Sequence, residues 1–392
     1  MKILYDYQAF AMQKKGGVSR YFSALIKELP KENETFVDMT PVYSRNEHLH
    51  SIVSPSTARR EKNISSSKTT HPSTPRGLYS SLQKIKLVLI VYHYIKQAVH
   101  KVRAIRKLKL QNFDVFHPTY NDPYFLPYLK GKPFVITIHD MIYELFPEYF
   151  GDGGEHARRK KLLAEKAAKI ITVSQNTKED VVKTLGIDSE KIIVVHHANF
   201  LDVNFMQAVP VPLRYILHVG GRKRWKNFDF LIRALAPVLN QGEGLSVICA
   251  GGGMFDESER MLFKELFIHT RVVQMDVSDS ELVFLYRHAE FFVSASLYEG
   301  FGIPIVEAFA NGCPVMISDV SCFPEIAGDA ALYFDPKNRE SITVAIQRIL
   351  SEPGLRETLI LKGTERLRNF SKEKMIRETL RVYEDCCIRK GK

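Results

Sequence analysis

Ser294-Ala-Ser-Leu-Tyr-Glu-Gly-Phe-Gly-Ile-Pro-Ile-Val-Glu-Ala-Phe-Ala-Asn-Gly-Cys-Pro-Val315 reads as the end of a β-strand, a glycine-bearing loop and a helix. Pro304 suits the first position of that helix, where a missing N–H costs nothing. The backbone N–H groups of Gly300, Phe301, Gly302 and Ile303 then face outward at the positive end of the helix, a ready site for an anion such as phosphate. Glycines at 300 and 302 let a bulky ligand approach the main chain closely. Glu299 stands on the loop, and Glu307 falls one turn into the helix, within reach of a polar group attached to the anion, such as a ribose diol. A sugar nucleotide fits that layout.

Glu299 through Glu307, together with Ala308 and the Gly312-Cys313-Pro314-Val315 tail, resembles the Glu-x7-Glu signature of family 4 glycosyltransferases. The match fixes two acids, two glycines, a proline and an apolar helix in order, which a pair of surface glutamates would not do. The resemblance implies an α/β protein of the GT-B class, with two Rossmann-like domains facing across a cleft and retaining sugar transfer. It also implies that Glu299, with the amides of Phe301 and Gly302, holds sugar and phosphate, while Glu307 holds the ribose.

Outward from this segment, short β-branched runs alternate with amphipathic stretches, the pattern of parallel sheets wound with helices. Strands are expected at Lys2–Asp6, Thr35–Val42, Val115–His117, Phe134–Ile138, Ile170–Val173 and Ile192–Val195. A second set is expected at Tyr215–Val219, Leu245–Ala250, Arg271–Met275, Phe291–Ala295, Val315–Ile317 and Ala331–Phe334. Helices are expected between them, among others at Val18–Leu29, Glu155–Lys169, Lys178–Leu185 and Asn227–Gln241. Ala208-Val-Pro-Val-Pro212 interrupts any periodicity, so the join is expected near Asp202–Leu213. This gives an acceptor-binding domain over 1–205, with a basic insertion at about 51–110, and a nucleotide-sugar domain over 213–371. By resemblance, a terminal helix over 372–392 crosses back to the first domain.

Gly220-Gly-Arg-Lys-Arg-Trp-Lys-Asn227 follows the first strand of the second set and opens a helix. It is similar to the family element whose Arg and Lys hold the donor diphosphate, which assigns the clamp to Arg222 and Lys226, with Arg224 as an alternative. Two cations can neutralise a pyrophosphate without a metal, and their charge-assisted bonds strengthen as charge accumulates on the leaving group. No Asp-x-Asp motif for a metal occurs, so metal-independent catalysis without a cofactor is expected. Gly16-Gly17 follows the first strand and begins a helix, where open α/β sheets place ligands, and resembles a glycine pair that lies against donor phosphates. His139 ends an apolar strand and matches a histidine near the transferred sugar; a structural hydrogen-bonding role is the alternative for an isolated strand-end histidine. Asp140 and Ser174 read as helix caps.

At 392 residues the chain can bury two cores, and no run approaches the ~20 apolar residues that span a bilayer. The opening Met1-Lys-Ile-Leu-Tyr-Asp6 reads as a strand rather than a signal peptide. Five cysteines without paired spacing suggest reduced thiols and a cytoplasmic setting. The net charge of +11 is concentrated: between Glu61 and Asp114 there are eleven basic residues and no acid. Residues 51–76 read as an exposed loop, and Leu82, Ile85, Leu89, Tyr92, Ile95, Val99, Val102 and Ile105 then recur at helical spacing beside the cations. That combination suits an anionic membrane surface, hence a peripheral location; a helix packed on the first domain with a solvated basic face is the alternative. Nucleic acid is disfavoured because the aromatics form no stacking platform. The expected function is transfer of a sugar from a nucleoside diphosphate to the hydroxyl of a glycan or lipid-linked acceptor in surface polysaccharide or glycolipid assembly. Three rivals are a glycosidase, a nucleotide-sugar epimerase of the same architecture, and a non-catalytic protein that binds sugar nucleotides or membranes.

Overall fold

The computed structural model describes all residues except 33, 41, 45, 50–57, 61–94, 223, 242–243 and 389–392. The chain divides into two compact units, Met1–Thr137 with Arg159–Ile170 and Leu380–Lys392, and Ile138–Arg158 with Ile171–Thr379. The strands in chain order are β1 (Lys2–Tyr5), β2 (Phe36–Met39), β3 (Val42–Ser44), β4 (Ala58–Arg60), β5 (Val115–His117), β6 (Val135–Ile138) and β7 (Lys169–Thr172). They continue with β8 (Ile192–Val194), β9 (Arg214–Val219), β10 (Leu245–Ala250), β11 (Val272–Met275), β12 (Phe291–Ser294), β13 (Val315–Ser318) and β14 (Leu332–Phe334).

In the first unit, β2, β1 and β5 form a parallel sheet in that order, with Tyr5 opposite Met39 and His117. The expected strand Thr35–Val42 is two strands, β2 and β3, which belong to different sheets. The expected helix Glu155–Lys169 stops at Lys166, because Ala168 donates its N–H to the Phe134 carbonyl at 2.8 Å and the chain enters β7. The terminal helix Lys372–Ile388 has its last turns in this unit. There Tyr383 Oη lies 2.8 Å from Tyr5 Oη and 2.6 Å from His117 Nδ1 in a fully buried polar chain, which satisfies groups that would otherwise cost stability. Of the basic segment, residues 51–57 and 61–94 lie outside the described residues; 95–109 are helical. This helix buries His100, Ala104 and Leu108 and exposes Ile95, Val99 and Val102. β6, β7 and β8 form a further sheet in that order.

The second unit is built on a parallel sheet of order β11-β10-β9-β12-β13-β14. Its strands are apolar on both faces, as a sheet covered on both sides requires. Tyr215, Leu217, Ile248, Phe292, Val315 and Ile317 enter one core with the helices Asp279–His288 and Ile303–Ala310. Ile216, Val247, Cys249, Phe291, Val293 and Met316 enter the other, with Phe228–Gln241 and Arg339–Ser351. The alternation of neighbours between two cores is the period-two pleat of a strand. From β9 the chain winds outward through β10 and β11, then returns to place β12 on the other side of β9. The carboxyl ends of β9 and β12 therefore flank a topological switch point, where open α/β sheets bind ligands.

Candidate active site

The loops after β9 and β12 meet at that switch point. Leu297 donates its N–H to the Trp225 carbonyl at 2.7 Å, and Asn227, at φ +56°, ties the loop to the Pro336 carbonyl through its side-chain amide at 2.8 Å. These anchors bring Lys226 Nζ to 2.5 Å from Glu299 Oε1, with both side chains partly exposed. Ser296, buried, donates to the same Glu299 oxygen at 2.8 Å. The peptide of Glu299 is held as well: Ser321 Oγ accepts from its N–H at 3.2 Å and donates to its carbonyl at 2.5 Å. Ser321 does this from φ +59°, a left-handed conformation that a non-glycine residue adopts at some cost.

The next residues form a tight turn that opens a helix. Gly302, at φ +89°, is the N-cap of the helix Ile303–Ala310; Ile303 takes the first position and Pro304 the second, one place later than expected. Among the described residues, none of the N–H groups of Gly300, Phe301, Gly302 and Ile303 donates to a protein acceptor. The glycine at 300 has a steric cause: a Cβ there would lie 1.7 Å from the His139 carbonyl oxygen. The Gly300 carbonyl accepts from Ser174 Oγ at 2.7 Å and Thr177 Oγ1 at 3.2 Å. Ser174 also caps its own helix through the Thr177 N–H, as expected, so one serine fixes two elements. The Phe301 ring is buried in the core beside His197 and Phe370, leaving only its main chain for a ligand.

Arg222, expected on a diphosphate, is instead occupied inside the fold. Its side chain is 2% exposed, pairs with Glu259 at 2.8 Å, and donates to the carbonyls of Gly251 at 3.0 Å and Gly253 at 2.9 Å. Gly251, Gly252 and Gly253 all have positive φ, so the guanidinium braces a left-handed turn after β10 that only glycines form readily. Arg224 is exposed, lies over the Phe150 ring at 5.4 Å and makes no ion pair among the described residues. Beneath the loop, His218 is buried, and its pKa is lowered to about 4, first by burial and further by the charges of Lys226 and Arg222, against an opposing bond to the Gly221 carbonyl. It is therefore neutral at pH 7 and adds no charge to the site.

Glu307 is 3% exposed and accepts from the Tyr286 hydroxyl at 3.1 Å, so the second acid is held from below by the helix Asp279–His288. The His139 ring stacks on His197 with centroids 5.5 Å apart, and its Nδ1 lies 3.4 Å from His197 Nε2. Burial, with His139 and His196 nearby, holds His197 well below the usual imidazole range. The structure thus brings Lys226, Glu299, the 300–303 turn and the His139 main chain together. Gly16 and Gly17 belong to the first unit, where Gly16 caps the helix Gly17–Glu28. A Cβ on Gly16 would lie 2.6 Å from the Gln13 carboxamide oxygen, which accepts the Ser19 N–H at 3.0 Å. Sequence reasoning missed Ser321, Tyr286 and Glu259, whose roles appear through contacts distant in sequence, and Ser296, whose bond to Glu299 three residues on depends on the turn of the loop. Among the described residues no group of His, Cys, Asp and Glu is arranged to hold a metal ion.

A doubly wound parallel sheet with open amides, a lysine and a carboxylate at its switch point has the layout in which α/β proteins place ligand sites. Residues 205–366 match the family model "Glycosyl transferases group 1", and residues 15–199 match "Glycosyltransferase Family 4". The O-antigen chain mannosyltransferase B of Escherichia coli is 27% identical over 281 residues, 68% of this chain and 74% of that protein. The O-antigen chain mannosyltransferase RfbU of Salmonella typhimurium is 31% identical over 230 residues, 58% of this chain and 63% of that protein. Among solved structures, Anabaena HepE in complex with UDP and glucose has a TM-score of 0.69 at 16% identity, over 98% of this chain and 100% of that one. The chain belongs to the family 4 glycosyltransferases and has the GT-B fold.

Proposed function

We propose that this glycosyltransferase moves a hexose, with retention of configuration and without a metal, from a nucleoside diphosphate to a hydroxyl of a glycan or lipid-linked acceptor in surface polysaccharide assembly. The single observation that carries the reading is the meeting of Lys226 with Glu299 beside four open main-chain amides at the switch point. In this reading Lys226 and Arg224 neutralise the diphosphate, and the amides of Gly300 through Ile303 accept its oxygens. Their donation strengthens as the sugar–phosphate bond breaks, which is where stabilisation accelerates the reaction. Glu299 binds hydroxyls of the sugar, Glu307 the ribose, and His139 and the Gly16-Gly17 helix start contribute to donor and acceptor positioning. The names of the two curated relatives support mannose as the first sugar to test, and HepE, whose structure holds UDP and glucose, supports a nucleoside diphosphate. Thermal-shift measurements against GDP-, UDP- and ADP-sugars should give one clear responder, since stabilisation grows with ligand concentration over Kd. That donor should then be consumed only when an acceptor is added, giving a product of unchanged anomeric configuration. Conversion of the donor alone would indicate an epimerase, and an inverted product would overturn the retaining mechanism.

The same reading includes a position on the cytoplasmic face of a membrane. Among the described residues no helix is long and apolar enough to cross one. The helical residues 95–109 expose Ile95, Val99 and Val102 beside the exposed cations Lys101, Arg106 and Lys109, which favours an anionic lipid surface. Co-sedimentation with acidic but not neutral vesicles is the expected result; absence of binding to both removes the membrane from the proposal.

A further inference from the structure

The ion pair at the switch point bears on how the site tells a sugar nucleotide from the nucleoside diphosphate left behind. Lys226 Nζ and Ser296 Oγ both bond Glu299 Oε1, at 2.5 and 2.8 Å, and among the described residues Oε2 takes no hydrogen bond. The peptide of Glu299 is pinned by Ser321, and its carboxylate by buried Ser296, so the acid cannot swing away when an anion arrives. Lys226 has the longer, freer side chain and is 27% exposed against 17% for Glu299. An incoming phosphate therefore draws the lysine towards itself and leaves a fixed carboxylate close to its own negative charge.

We propose that Glu299 acts with opposite sign on the two nucleotides: it favours the sugar-bearing donor and disfavours the bare nucleoside diphosphate, and so speeds release of that product. A donor presents sugar hydroxyls, which donate to Oε2 and to the part of Oε1 that Lys226 gives up. A bare diphosphate has no such donors, and the carboxylate faces it as an uncompensated like charge in a partly desolvated site. The inference rests on the proposed nucleotide-sugar reading of this site.

Titration calorimetry with GDP and UDP, and with GDP-mannose and UDP-glucose, on the wild-type chain and on Glu299→Gln is the test. The variant keeps the shape of the side chain and removes its charge. It should bind the bare diphosphate roughly five- to tenfold more tightly. It should also bind the sugar nucleotide more weakly and lose sugar transfer by about 10²-fold. A residue that only supports the loop would weaken both ligands together. Glu299→Ala, which also removes the charge, should tighten the bare diphosphate too and serves if the first variant does not fold. Wild-type binding of the diphosphate with equal or weaker binding by the folded variant overturns this inference alone. Failure of the wild-type chain to bind any of the four nucleotides overturns the functional reading with it.

Discussion

Gly300 marks the place where a single atom decides the site. A methyl there would need the His139 carbonyl to move, since the two would be 1.7 Å apart. Gly300→Ala should cost about 1–3 kcal/mol in chemical unfolding and abolish most sugar transfer, because the turn carrying the open amides shifts with it. Arg222 invites the opposite experiment. Removing the guanidinium leaves Glu259 buried and unpaired, so Arg222→Met should cost about 3–5 kcal/mol, with lost activity following lost fold. Lys226→Ala, partly exposed, should leave stability nearly unchanged. His218 supplies a pH signature. Its pKa of about 4 in the fold lies below that of a free imidazole, so acidification from about pH 6.5 protonates the unfolded chain first. Stability should fall between those two values, and His218→Asn should flatten that part of the curve. The sequence placed an arginine after β9 but could not say which way it turns; its partner Glu259 lies 37 residues away, on the helix Glu257–Glu265.

At the scale of elements, helix ends and strand ends carry the chemistry, and they are tied to one another by side chains from remote segments. Glu325 is the clearest case: it accepts from the Gln175 and Asn176 N–H groups at 2.8 and 3.0 Å, and from His196 at 2.8 Å. Burial alone would raise its pKa, but His196 and the two N–H groups outweigh it and hold the carboxyl below its usual value. Its stabilisation is then present above the ordinary glutamate range and lost as pH falls through the lowered value. Glu325→Gln should cost about 1–2 kcal/mol at pH 7, and the difference should vanish in acid. Strand positions, the 303–310 helix and its glycines were legible because apolar periodicity and turn chemistry are local properties. Where the expectations slipped, a non-local bond decided, as when Ala168 paired with Phe134 and ended a helix three residues early. The serines at 174 and 321 were legible as caps or loop residues at most, because their second bonds join segments far apart in sequence, whereas the bond of Ser296 to Glu299 spans three residues and depends on how the loop between them turns.

Across the whole molecule, family membership and the GT-B fold follow from matches over most of the chain, whereas donor, acceptor and linkage rest on a few side chains. The six-stranded sheet places Lys226, Glu299 and the open amides together at the carboxyl ends of its two central strands, β9 and β12. The basic concentration between Glu61 and Asp114 is readable from composition, while the direction its side chains face depends on packing. The most direct measurement is the affinity of the sugar nucleotide that the wild-type chain turns over, titrated into Lys226→Ala with unfolding followed in parallel. A loss of about 10²-fold in affinity with unchanged stability is expected if that amine grips the diphosphate. Affinity equal to that of the wild-type chain would place the diphosphate elsewhere and contradict the reading of the switch point.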